Sequence, residues 1–157
     1  MRQVARSDAQ IRAATEEARS WNMRQLLLRA SRTVNRHVVE GLHAHGYARL
    51  RSTHTALLSN MPLTGSTVTE TAERAGMTKQ AMGRLAIELE KAGYISVTGD
   101  PADRRAKRLA LTAAGRRLML DSLDVMAQLE RRYADLIGHD RLQAVLDDLR
   151  VFNEDAD

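Results

Sequence analysis

Between residues 67 and 112 the chain reads TVTETAERAGMTKQAMGRLAIELEKAGYISVTGDPADRRAKRLALT, and its spacing leaves few ways to fold. Thr67 followed by Glu70 forms a capping box, in which each side chain satisfies a free amide at the start of a helix. Val68, Ala72 and Ala75 then share an inward face, and Ala72 is small enough for two helices to cross closely. Gly76 stands at a corner, where a left-handed backbone costs glycine little. Thr78 caps a second helix whose buried side is Ala81, Met82, Leu85 and Leu89. A small residue, a glycine four positions on, and apolar residues ten and thirteen on make a helix-turn-helix spacing. Ile95 and Val97 alternate with Ser96 and Thr98, as Leu109 and Leu111 do with Arg108 and Ala110, which predicts two short half-buried strands. Gly99 and Pro101 lie in the turn between them.

With one side of the second helix buried, Thr78, Lys79, Gln80, Gly83, Arg84 and Ile87 must face outward. That face has the chemistry a DNA major groove requires. Glutamine pairs bidentately with adenine, arginine or lysine with guanine, and helix N-terminal amides with a threonine hydroxyl suit phosphates. Gly83 costs the helix about 1 kcal/mol against alanine; close approach of DNA or close packing of another helix would each explain it. The hairpin tip, GDPADRRAKR, gathers Arg104, Arg105, Lys107 and Arg108 beside Asp100 and Asp103. Arginines on such a loop suit a narrow minor groove, and an aspartate paired with one would aim its guanidinium. The reading is a winged helix-turn-helix that grips duplex DNA.

The rest of the chain supplies helices. Met23, Leu27, Ala30, Val34, Val38 and Leu42 recur at helical spacing from about residue 21 to 42, with Gly41 and Gly46 ending that helix. A second helix is expected near Ser52 and is broken by Pro62 and Gly65. A long helix over 113–137 carries Met119, Leu123, Met126, Leu129, Tyr133 and Leu136, and a last one carries Leu142, Val145, Leu146, Leu149 and Phe152. Little chain remains to cover these terminal stripes, which points to each other and to a second copy of the chain. The expected fold is mainly α with a small β-wing, about six helices plus a hairpin. Composition agrees with an anionic partner: 24 Lys and Arg against 20 Asp and Glu give a net charge of +4. With no cysteine there is no thiolate metal site or thiol switch, and no apolar run approaches the roughly 20 residues that span a bilayer. The N-terminal MRQVARSDAQIRAATEEARSW lacks the apolar block of a secretory signal, so the expected location is cytoplasmic, with no membrane partner.

The stretches LTGSTVTETAERAGMTKQAMGRLAIELEKAGYI and DPADRRAKRLALTAAGR resemble the multiple-antibiotic-resistance regulator (MarR) family of bacterial transcription factors, and the resemblance runs from Trp21 to Phe152. It implies a single domain over 1–157, with 1–45 and 113–157 as dimerisation helices around a reader at 50–112. It also implies a homodimer on a pseudo-palindromic promoter site, acting as a repressor. Thr78, Lys79, Gln80 and Arg84 match groove-reading positions, Arg104 and Arg105 the wing tip, and Asp100 and Asp103 its acidic positions. No cofactor is required. Release by a small phenolic or aromatic ligand is implied, with Arg51 and His54 bordering its cleft. Sensing of oxidants through cysteine, which some members use, is excluded.

His37, His43, His45 and His54 lie close in sequence, but their spacing does not fit one helical face and no carboxylate cluster adjoins them, so no metal site is assigned. No phosphate-cradling loop, nucleophile elbow or His-Glu metal motif is present, and no enzyme is expected. The rival from another class is a winged-helix module that binds protein. Its exposed helix face would be apolar or acidic, whereas this one offers Lys79, Gln80 and Arg84.

Overall fold

The computed structural model describes residues 7–99 and 107–154. The chain divides between Arg36 and His37 into two compact units. The first holds α1 (Asp8–Trp21) and the opening turns of α2 (Met23–Ala44). The Ser7 amide donates to Gln10 Oε1 (3.0 Å) and the Gln10 amide to Ser7 Oγ (3.4 Å), a reciprocal cap that starts α1. Asn22 Oδ1 accepts from the Gln25 amide at 2.9 Å and so starts α2.

The second unit carries the end of α2, a 3-10 turn at Ser52–His54, α3 (Thr55–Leu58), β1 (Ser66–Thr67), α4 (Val68–Arg74) and α5 (Lys79–Lys91). β2 (Ile95–Gly99), β3 (Lys107–Leu111), α6 (Ala113–Ile137) and α7 (His139–Glu154) follow. The three strands make an antiparallel sheet in the order β1-β3-β2, with Ser66 opposite Leu109 and Ile95 opposite Leu111. Leu57, Met82, Leu89, Ile95, Leu109 and Leu118 are fully buried, so helices, sheet and α6 share one core. Among the described residues no buried side-chain polar atom lacks a partner. Buried Thr71 illustrates this: its hydroxyl meets Ser66 Oγ (2.7 Å) and the Thr67 carbonyl (2.8 Å).

Two junctions hold this unit. At the first, the Thr112 side chain accepts from the Gly115 amide (3.0 Å) to cap α6, and its hydroxyl lies 2.7 Å from the Gly93 carbonyl. Gly115 is packed so tightly that a Cβ would sit 1.9 Å from the Tyr94 carbonyl oxygen. At the second, α2 crosses α6 where a Cβ on Gly41 would lie 2.6 Å from a Val125 methyl. Tyr47 adds a bond from its hydroxyl to Asp121, and burial together with that bond pushes its pKa up to about 12.

The outline departs from the sequence-based expectation in three places. The described residues contain seven α-helices and a 3-10 turn rather than about six helices, because α1 precedes the helix expected from residue 21. The glycine expected to end α2 is interior: the helix passes through Gly41, whose missing side chain lets α6 approach, and stops before Gly46 (φ +92°). The helix near Ser52 is one 3-10 turn and one α turn. Gly115→Ala should lower stability by about 1–3 kcal/mol, the usual cost of overpacking; urea unfolding checks this, and an unchanged midpoint would contradict the crowding at Tyr94.

Candidate nucleic-acid interface

The helix-turn-helix is built as its caps require. Thr67 Oγ1 accepts from the Glu70 amide (3.2 Å) and Glu70 Oε2 from the Thr67 amide (2.7 Å), and these bonds hold the Glu70 carboxyl below its ordinary pKa. α4 ends with Gly76 at φ +60°, where the Gly76 amide bonds the Glu73 carbonyl (3.0 Å) and the Met77 amide reaches the Ala72 carbonyl (2.9 Å). That paired closure needs a left-handed residue at the corner. Thr78 Oγ1 accepts from the Ala81 amide at 3.2 Å and starts α5.

Burial of Met82, Leu85, Ala86 and Leu89 sets the rotation of α5. Thr78, Lys79, Gln80 and Arg84 are exposed, as their spacing predicts. Among the described residues, no side-chain hydrogen bond or ion pair engages Lys79, Gln80 or Arg84. A Cβ added at Gly83 would meet nothing within 4 Å, so close helix packing does not explain the glycine. Ile87 continues the same face.

The wing is β2 and β3. Lys107 and Arg108 are exposed but stand on strand β3, opposite Gly99 and Thr98, rather than at a loop tip. Asp100, Asp103, Arg104 and Arg105 lie outside the described residues. Glu90 of α5 accepts from the Val97 amide at 3.0 Å, tying α5 to the wing.

On the other flank, Glu88 binds both residues that the sequence reading placed at a ligand cleft. Its carboxylate pairs with Arg51 and lies 2.9 Å from Nε2 of His54, whose Nδ1 accepts from the Arg51 amide at 3.2 Å. His54 is buried and Arg51 largely exposed. Hydrogen bonds from His54 and then Arg51 hold the Glu88 carboxyl below its usual pKa. A cavity of about 480 Å³ beside this cluster is lined by Arg51, Ala56, Met77, Ala81, Arg84 and Leu85, among others. The other three clustered histidines are separately engaged: His37 with the Tyr133 hydroxyl (3.3 Å), His43 with the Leu50 carbonyl (2.8 Å) and His45 with the Gly41 carbonyl (2.9 Å). Among the described residues no cluster of metal-binding groups forms, and no helix is long and apolar enough to cross a membrane.

Two capped helices meeting at a glycine corner, followed by a β-hairpin packed on the second, define a winged helix-turn-helix protein. A model described as the MarR family matches residues 53–106. An uncharacterized protein of Mycobacterium tuberculosis is 32% identical over 113 residues, spanning 72% of this chain and 76% of its own. This chain belongs to the MarR family. Among solved structures, a MarR-family transcriptional regulator from Rhodococcus sp. RHA1 is 28% identical with a TM-score of 0.66, covering 82% of this chain and 89% of its own. MarR itself reaches a TM-score of 0.75 at 23% identity, covering 87% and 98%. The transcriptional repressor CouR, bound to a 23-mer DNA duplex, reaches 0.67 at 24%, covering 87% and 95%.

The Glu88 cluster has a pH signature. A carboxyl whose folded pKa is lowered adds stability that is complete above its unfolded value, about 4.3, and is lost as pH falls through the folded value. Urea midpoints of the parent and Glu88→Gln should therefore differ most above about pH 5 and converge on acidification; a gap independent of pH would contradict the pairing.

Proposed function

We propose that the protein is a sequence-specific duplex-DNA-binding transcriptional regulator, a ligand-responsive repressor that works as a homodimer on a pseudo-palindromic operator. The observation that carries this is the outward face of α5: Lys79, Gln80 and Arg84 are exposed, with no side-chain partner among the described residues, around a Gly83 with space for a side chain, beside a wing carrying Lys107 and Arg108. Thr78 and the first amides of α5 would take phosphate; Gln80 and Arg84 would take base edges. Arg104 and Arg105, aimed by Asp100 and Asp103, would enter the flanking minor groove. The acceptor-poor face favours a polyanion over the protein partner of the rival reading.

The dimer is supported by what the outer helices leave uncovered. Leu120, Leu123, Leu136 and Ile137 of α6 and Val145, Val151 and Phe152 of α7 are exposed, and α7 buries no residue. A second copy would cover these residues, with 1–45 and 113–157 as the dimerisation segments and 50–112 as the reader. Two recognition helices would then enter successive major grooves about 34–36 Å apart. The 480 Å³ cavity between the Arg51 region and α5 is within the size range of small-ligand pockets and suits an aromatic or phenolic effector. An effector there would act through preference for one dimer spacing. The proposed location is the cytoplasm.

A gel-shift series on selected duplex fragments across salt concentrations tests the DNA reading. Binding should weaken steeply with salt as counterions are released. Arg84→Ala should cost about 1–3 kcal/mol and relax preference at one base position; salt-insensitive binding, or an unaffected Arg84→Ala, would refute the assignment. Leu123→Asp should give a monomer on sizing with poor duplex affinity, and a variant that stays dimeric would count against the α6 interface.

A further inference from the structure

Ile87 is an apolar residue on an otherwise polar face. Gln80, Gly83, Arg84 and Ile87 follow one another at helical spacing along a single stripe of α5, opposite the buried Met82, Leu85 and Leu89. Ile87 is 47% exposed, and no other large apolar residue of α5 is. It borders a cavity of about 410 Å³ between α5 and the wing, with Val68, Ala86 and Val97 among its apolar walls. Lys79, Arg84 and Lys107 stand around the same cavity. The carboxylate there, Glu90, already accepts from the Val97 amide. The surface thus sets the exposed Ile87 side chain beside the hydrogen-bond donors of Lys79, Arg84 and Lys107.

Among the four base pairs seen from the major groove, one edge has the complementary form. Thymine carries an apolar C5 methyl next to the O4 acceptor; cytosine and adenine present amino donors there, and guanine has acceptors without a methyl. We propose that Ile87 is a specificity-determining residue that packs on the C5 methyl of a thymine in each half-site, while a neighbouring cation donates to O4. This rests on the duplex-binding reading above and assigns one base to one side chain within it.

The test uses the full-length protein and a duplex selected by it from a random pool. Each thymine is replaced in turn by deoxyuridine, which removes the methyl and keeps the pairing. One position per half-site should lose about four-fold in affinity, the worth of one buried methyl-sized group. In Ile87→Ala, checked for unchanged melting, deoxyuridine at that position should cost nothing further, while penalties elsewhere persist. Equal penalties in the two proteins, or no sensitive position in either, overturn the role of Ile87 while leaving duplex binding intact. A sensitive position restored by 5-methylcytosine opposite guanine as well as by thymine would show that the methyl alone is read and overturn the O4 half. If no duplex binds in a salt-dependent way, the underlying DNA reading fails, and this assignment with it.

Discussion

The burial of one side of α5 is the constraint on which the rest of the molecule depends. Met82, Leu85, Ala86 and Leu89 enter the common core, and a helix with four such anchors has only one rotation available. Everything on the opposite side follows from it: Gln80 and Arg84 point to solvent, and nothing lies within 4 Å of where a Gly83 side chain would stand. The position along the axis is set separately, by the Thr78 cap and the left-handed Gly76 before it. Hydrophobic burial thus aims the polar face without contributing to its chemistry.

Much of this was legible in the chain because the signals are local. The capping box at Thr67 and Glu70, the corner glycine and the alternation in both strands each act over a few residues, and each appears where expected. α1 escaped because its apolar residues are mostly alanines, with only Ile11 and Trp21 large; the Ser7–Gln10 cap was its readable sign. β1 has only Ser66 and Thr67, too short for any periodicity, and exists because β3 and Thr71 bond to it. The partners of Glu88 lie 34 and 37 residues away, so no spacing rule could have found them. Gly41 was misread for a related reason: its neighbour is Val125, and a glycine needed for a crossing looks in sequence like one that ends a helix.

Membership of the MarR family and the winged architecture agree with the physical reading, yet the individual features of this chain lie in its side chains. It has no cysteine, its clustered histidines are spent on carbonyls, a tyrosine hydroxyl and a carboxylate, and its charged cluster below α5 is internally satisfied. An anionic molecule approaching Arg51 would meet a largely exposed guanidinium whose charge is already offset by Glu88.

Glu88 and Glu90 also have a mechanical consequence. One tethers α5 to the Arg51–His54 turn and the other tethers it to the edge of the wing, on opposite flanks. A cylinder strapped on both sides cannot roll in its seat without tearing one strap. As long as both hold, α5 keeps its rotation relative to the turn on one side and the hairpin on the other.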